Sequence, residues 1–351
     1  MIAPRATPKK PPVRNFNRES LIKALICATQ SLSQGGWRTQ FNWQRSMKSG
    51  STIGFVGLGT MGEHMARCIL RAGYRINACA HKNRAALDRL IGDGVTESAD
   101  PAAVAAASDA VVICVPDSPQ VESVVFGPRG LAAGAARSIY IIDMSTISPV
   151  ASRDFAQRLQ SGGHHLVDAP VSGGPARAKD GTLTIMVGAS DEDFAQVQPL
   201  LETMGTPTHL GVVGMGQTVK LVNQIMIANI MVANAEALMF AQKAGADVRA
   251  VRKVIATATG SNYLLENWLP KTWFARNFEG GFALDLLRKD LNAALEAARA
   301  MKMPMPASAL AYQTYTAQSA KGDGARDYSA VAKFYESIAG DEVPRDVHEP
   351  R

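Results

Sequence analysis

From Thr52 onward the chain shows short apolar runs without polar alternation, IGFVG at 53–57, VVICVP at 111–116 and YIIDMS at 140–145. A strand that does not alternate is buried on both faces, as in a parallel sheet covered by helices. Helical stretches of about ten to fifteen residues separate the runs, the spacing of repeated strand–helix units. Gly73 reads as the residue closing the first helix, and Ser148-Pro149 as an N-cap followed by proline at the first helical position. The pattern continues to about Leu210.

Beyond Gly214 the strands stop. No proline and no glycine interrupts the chain between Gly216 and Gly245, which predicts one helix about 40 Å long. It is apolar on nearly all sides, so it is expected between other elements or in a subunit contact. Asn229, Asn234 and Glu236 within its most apolar part, 225–241, argue against a membrane span. Further helices are predicted over 248–257, 282–301, 307–320 and 329–338. The expected fold is α/β, a Rossmann-like doubly wound and mainly parallel sheet, followed by an all-α domain and joined to it by the long helix. The boundaries read as a basic disordered extension at 1–50, a nucleotide-binding domain at 51–212, a helical domain at 213–340 and a polar tail at 341–351.

Charge narrows the partners. The net charge of the 351 residues is +6, but residues 1–46 carry eight Lys/Arg against Glu19 alone, leaving 47–351 at −1. The globular part therefore has no general basic character, which counts against a nucleic-acid partner. The opening MIAPRATPKKPPVRNFNRES lacks the apolar core of a secretory signal. It reads as an extension ahead of Met47 in a cytoplasmic protein, with an organelle-targeting segment as the alternative. Cys27, Cys68, Cys79 and Cys114 are scattered, without CxxC spacing, so neither disulfides nor a metal site are expected. His164-His165 has no supporting ligand spacing and reads as structural. Trp268, Trp273, Phe274 and Phe278 read as core or interface.

Two glycine-bearing stretches carry candidate chemistry. In GFVGLGTMG, the loop Gly57-Leu58-Gly59-Thr60-Met61-Gly62 lies between a strand and a helix. There Gly57 permits the tight turn, Gly59 lets a pyrophosphate approach the backbone, and Gly62 lets the helix pack on the sheet. A plain tight turn is the competing reading. After the second strand an acid would mark NAD, but His81-Lys82-Asn83-Arg84 stands there instead. His81, Lys82 and Arg84 suit a 2′-phosphate, so NADP(H) is favoured over NAD(H), the alternative being a solvated basic loop.

The second stretch, GMGQTVKLVNQ at 214–224, lacks the spacing and the Ser/Thr of a P-loop. Lys220 is placed in the first turn of the long helix, where the dipole and Val219, Leu221 and Val222 should lower its pKa toward that of a general acid/base. A surface lysine with a packed stem is the plainer reading. Asn223 and Gln224 share its helix face. Ser172-Gly173-Gly174 could bind a carboxylate through exposed amides, or be a simple turn.

The ordered motifs GLGTMG, VPDSPQ, DMST, DAPVSGGPARAKDGTL, GMGQTVKLVNQ and GFALDLLRKDL, spread over about residues 52–340, resemble the β-hydroxyacid dehydrogenase family. The family includes 3-hydroxyisobutyrate dehydrogenase and tartronate semialdehyde (2-hydroxy-3-oxopropionate) reductase. The resemblance implies a Rossmann-like domain, a 6-phosphogluconate dehydrogenase-like helical domain, and homodimers or homotetramers. It places cofactor contacts on the glycine loop, Val115, Pro116, Gln120, Thr146 and Lys289. It places the substrate anchor on Ser172, Gly173 and Gly174, the catalytic lysine on Lys220, and adjoining amides on Asn223 and Gln224. Asp290, on the RKD helix, reads separately as a lesser positioning group. Gln224 departs from the asparagine of the hydroxyisobutyrate enzymes and resembles the tartronate semialdehyde reductase subgroup. An imine reductase of the same superfamily and a non-catalytic scaffold relative are the competing readings. The lysine counts against the first, and lysine, serine–glycine turn and glycine loop together count against the second.

Overall fold

The computed structural model describes residues 47–345. The expectations for the basic extension before Met47 and for the last six residues of the tail lie outside these described residues. Six strands, β1 (Thr52–Val56), β2 (Arg75–Cys79), β3 (Thr96–Glu97), β4 (Ala110–Ile113), β5 (Tyr140–Asp143) and β6 (His165–Asp168), make an all-parallel sheet in the order β3-β2-β1-β4-β5-β6. Helices α1 (Gly62–Arg71), α2 (Ala85–Gly92), α3 (Pro101–Ala106), α4 (Ser118–Phe126), α5 (Leu131–Gly134) and α6 (Pro149–Ser161) lie in the crossovers. The unalternating strands are buried on both faces as predicted. Ile53, Phe55, Val112 and Ile142 enter one apolar core, while Val56, Val111, Ile113 and Ile141 enter another.

A second sheet was not anticipated. Strands β7 (Val171–Ser172), β8 (Leu183–Val187) and β9 (Gly205–His209) pair in that order, β7 antiparallel and β9 parallel to β8, with α7 (Gly174–Asp180) and α8 (Asp191–Leu201) between them. Two-residue β7 has no period to read. The sequence GTPTH of β9 carries glycine and proline, which mark a loop in the middle of a sheet but are tolerated on an edge strand such as this one.

The long helix is α9 (Met215–Lys243), of 29 residues. It is followed by α10 (Val248–Ile255), α11 (Leu284–Ala300), α12 (Pro306–Gln318) and α13 (Ala332–Ala339). Ala228, Met231, Ala235 and Leu238 of α9 enter a helical core with Trp273, Phe274 and Phe278. Helix α11 starts at Leu284, not 282, because Ala283 is held in a bridge to Asp327. The stretch predicted as one helix over 329–338 opens as a 3₁₀ turn, Tyr328–Val331.

Coverage of α9 is incomplete. Val222, Met226 and Phe240 are 49%, 56% and 76% exposed. By length and composition alone α9 is also apolar enough to cross a membrane, contrary to the sequence expectation. Its buried face nevertheless carries Gln217, Gln224 and Asn234, each hydrogen-bonded to another protein group.

Candidate functional site: a glycine loop and a buried lysine

The loop between β1 and α1 lies at the carboxyl end of the sheet, where the strand order reverses between β1 and β4, the place where such sheets bind ligands. Gly57 has φ +103°, and a Cβ there would stand 2.2 Å from the carbonyl oxygen of Cys114. At Gly62 a Cβ would stand 2.0 Å from the carbonyl oxygen of Gly57. Packing within the protein accounts for both. At Gly59 nothing lies within 4 Å of a built Cβ, so the space beside it is open to a ligand. Helix α1 has no side-chain cap, and although the Gly59 carbonyl takes the Glu63 amide, the positive end of its dipole faces the loop where phosphate oxygens would sit. Leu58 and Met61 pack into the core and Thr60 is exposed. On the opposite rim, the Val115 amide donates to Ser145 Oγ at 3.0 Å, and Pro116 and Gln120 are exposed. These features fit a dinucleotide.

At the end of β2, His81, Lys82 and Arg84 are all exposed. Arg84 is not the free cation expected. It donates to both carboxylate oxygens of Glu97 on β3, at 2.7 and 3.1 Å, and to Asp88 at 3.1 Å. That leaves His81 and Lys82 as the basic residues of this loop without a partner among the described residues.

Asp143 and Asp168, both fully buried, end β5 and β6. Asp143 Oδ1 accepts from the Ser145 amide at 2.9 Å, while its Oδ2 has no partner among the described residues. Burial pushes its carboxyl up to about 7. Asp168 accepts from the amides of Gly214 at 2.7 Å and Gln217 at 2.8 Å. The Gln217 side chain donates to the Ser145 carbonyl at 2.9 Å and accepts from the Ile147 amide at 3.0 Å. Sequence reasoning gave Asp143, Ser145, Asp168 and Gln217 no role. The available signal was an aspartate ending an otherwise apolar strand, which must then be paired.

Lys220 lies in the second turn of α9, since the helix begins at Met215 rather than one turn later. The dipole effect, confined to the first turn, is therefore minor. Burial does the work: the residue is 7% exposed. Loss of solvent pulls its ammonium pKa down, Asp290 opposes this and Lys289 reinforces it. Its Nζ makes no hydrogen bond among the described residues. Gln224, on the same face, donates to Asp290 Oδ2 at 2.7 Å and accepts from Asn223 Nδ2 at 3.0 Å. Lys289 Nζ lies 2.7 Å from Asp290 Oδ1 and donates to the Thr146 carbonyl at 2.5 Å. Asp290, ranked low from sequence, is thus the hub joining Gln224 and Lys289.

The turn after β7 has Gly173 at φ +133° and Gly174 at φ +68°, conformations that favour glycine. Ser172 is half-buried and paired with Thr184 on β8, and β8 packs against α9. No hydrogen bond joins Ser172 to Lys220 among the described residues. His165 stands 2.9 Å from Asp193 and stacks on Tyr140. Among the described residues no cluster of His, Cys, Asp and Glu could hold a metal ion.

A phosphate loop at the switch point of a parallel sheet, followed by a helical region that delivers a buried lysine, defines a class: the nicotinamide-dependent oxidoreductases. Residues 52–216 match the family model described as the NAD binding domain of 6-phosphogluconate dehydrogenase, and residues 214–335 that described as NAD-binding of NADP-dependent 3-hydroxyisobutyrate dehydrogenase. The chain is 38% identical over 84% of its length to 2-(hydroxymethyl)glutarate dehydrogenase of Eubacterium barkeri, covering 98% of that protein. It is 39% identical over 82% of its length to 2-hydroxy-3-oxopropionate reductase of Escherichia coli K12, again covering 98% of the relative. A solved Mycobacterium tuberculosis 3-hydroxyisobutyrate dehydrogenase with L-serine superposes at TM-score 0.75 and 30% identity, over 81% of this chain and 98% of that one. Imine reductases, such as that of Pseudomonas sp. at 18% identity, share the fold alone. The chain belongs to the β-hydroxyacid dehydrogenase family and is an NAD(P)-dependent oxidoreductase.

Proposed function

We propose that this enzyme interconverts a short 3-oxo acid and its 3-hydroxy acid, of tartronate semialdehyde or 3-hydroxyisobutyrate type, with Lys220 as general acid/base. The observation carrying the reading is a nearly buried lysine on the long helix α9, depressed in pKa by desolvation and without a hydrogen-bond partner among the described residues. The bound nicotinamide supplies or accepts the hydride. Lys220 gives a proton to the substrate oxygen in reduction and its neutral amine takes that proton in oxidation. Asn223 orients the hydroxyl, with Gln224 fixed beside it by Asp290. Ser172 and the amides of Gly173 and Gly174 hold the substrate carboxylate.

The cofactor would be held by residues 57–62, Val115, Pro116, Gln120, Thr146 and Lys289. Preference for NADP(H) over NAD(H) rests on His81 and Lys82, and on the absence of a carboxylate at the end of β2. The nucleotide and substrate domains divide at 212/213. The exposed apolar stripe of Val222, Met226 and Phe240 supports a homodimer or homotetramer. No nucleic-acid or membrane partner is proposed, and the location proposed is cytoplasmic.

Gln224 favours tartronate semialdehyde. The comparable identity to an enzyme named for 2-(hydroxymethyl)glutarate makes a longer dicarboxylate the second reading. A panel of short semialdehydes and 3-hydroxy acids with each cofactor tests both. Lys220→Ala should lower kcat by roughly 10²- to 10⁴-fold, the usual contribution of an acid/base group. No turnover across the panel, or full activity in Lys220→Ala, defeats the proposal.

A further inference from the structure

We propose that Asp168 is a positioning residue for Lys220, holding the start of α9 and, through Gln217, the loop after β5. This rests on the reading of Lys220 as proton donor. A helix leaves its first amides unsatisfied. The N-cap residue of α9 is Gly214, which has no side chain with which to cap the helix. Asp168 supplies the cap from another strand, one oxygen on the Gly214 amide and the other on the Gln217 amide.

Space has been cleared for that carboxylate from two sides. A Cβ at Gly188 would stand 2.3 Å from Asp168 Oδ1 and 2.9 Å from the Val212 carbonyl oxygen. One at Gly216 would stand 2.8 Å from Asp168 Oδ2 and 2.3 Å from the Met186 carbonyl oxygen. Gly188 and Gly216 both lie outside the left-handed backbone region, so close approach, not turn geometry, explains them. Gly216 sits inside a helix, where glycine costs about 1 kcal/mol relative to alanine.

The grip extends further. The Gln217 amide takes Asp168 while its side chain holds Ser145 and Ile147, on either side of Thr146. The Thr146 carbonyl receives Lys289, whose neighbour Asp290 takes Gln224. Lys220 lies between Gln217 and Gln224 on α9, about one turn from each. The turn carrying the lysine is therefore clamped at both ends, and Asp168 is the anionic anchor of the first clamp.

The two amides need the anion, because a protonated carboxyl turns one acceptor into a donor facing an N–H. Burial pushes Asp168 up to about 6 against its two amide bonds, with Arg153 of α6 as the opposing cation. Buried Asp143 on β5 is the like charge facing it. The sign separates this from acid unfolding. A carboxyl raised from 3.8 to about 6 contributes stability that is full below 3.8 and is lost as pH rises through about 6. Acidification through 6 thus loosens the clamp without destabilising the fold through this group.

The test is the kcat–pH profile of wild type, Asp168→Asn, Asp168→Glu and Lys220→Ala, together with hydrogen exchange of the wild-type peptide 214–220. Wild type should lose activity as pH falls through about 6, with Tm unchanged or higher. Asp168→Asn should lower kcat at least tenfold and abolish that acid limb, and Asp168→Glu should restore part of both. Corrected for intrinsic rate, exchange in 214–220 should rise over the same interval, which needs no variant to fold. A folded Asp168→Asn with near-normal kcat or an unchanged acid limb overturns the proposal, as does flat exchange in 214–220. Full activity in Lys220→Ala defeats instead the proton-donor reading and leaves the exchange result to stand by itself.

Discussion

Gln224 on α9 donates its side-chain amide to Asp290 on α11 across 2.7 Å, with both residues buried. Asp290 also faces Lys289 at 2.7 Å, so one carboxylate answers two lysines, Lys289 directly and Lys220 through space. Lys220 is left under-compensated, which is the condition an acid/base lysine requires.

Removing the charge in Asp290→Asn should therefore depress Lys220 further. Asp290 favours the ammonium form, so in the reduction direction the alkaline limb of kcat should move to lower pH. Loss of the anchor for Gln224 and Lys289 should also lower kcat about 10- to 100-fold, as a displacement near 1 Å does. The kcat–pH profile checks both, and an unmoved alkaline limb removes Asp290 from the account of Lys220.

The length of the residue-224 side chain should matter for substrate choice. Gln224→Asn shortens the arm and breaks the bond to Asp290, a charged hydrogen bond of about 1.5–3 kcal/mol. The ratio of kcat/KM for tartronate semialdehyde over methylmalonate semialdehyde should fall about tenfold or more. An unchanged ratio shows that the subgroup is set by other residues.

The glycine loop should separate packing from ligand approach. Gly62→Ala forces a Cβ to within 2.0 Å of a carbonyl oxygen, so it should lower Tm by several degrees. Gly59→Ala meets nothing within 4 Å and should leave Tm near wild type while raising the cofactor KM about tenfold or more. Thermal melts and cofactor titrations give the comparison. Equal effects of the two variants on Tm argue against open ligand space at Gly59.

Most of the sheet and helix order was legible because burial on both faces leaves unalternating runs such as VVICVP, and because no breaker interrupts α9. What was illegible was local. Two-residue β7 has no period, and GTPTH hides a strand behind glycine and proline. The start of α9 at Met215 came from a cap supplied by Asp168, 46 residues upstream in sequence, which no spacing rule records. The same holds for the site. Lys220 and the glycine loop stand in local motifs, whereas Asp168, Gln217 and Asp143 act through contacts made only when β5, β6 and α9 converge. Arg84 shows the opposite error: a cation counted as free because Glu97 is a neighbour through β-pairing and not through sequence.

That correction yields a discriminating prediction for cofactor choice. If the 2′-phosphate is read by free cations at the end of β2, Lys82→Ala should raise the KM for NADPH several-fold with little effect on NADH. Arg84→Ala should change it less, because its guanidinium is already held by Glu97 and Asp88. Ala80→Asp, which places a carboxylate at the end of β2, should repel a 2′-phosphate and bind ribose hydroxyls instead, shifting preference toward NADH. Steady-state kinetics with both cofactors ranks the three variants. A larger loss in Arg84→Ala than in Lys82→Ala shows that Arg84 leaves Glu97 to meet the phosphate, and no shift in Ala80→Asp shows that preference is set away from β2.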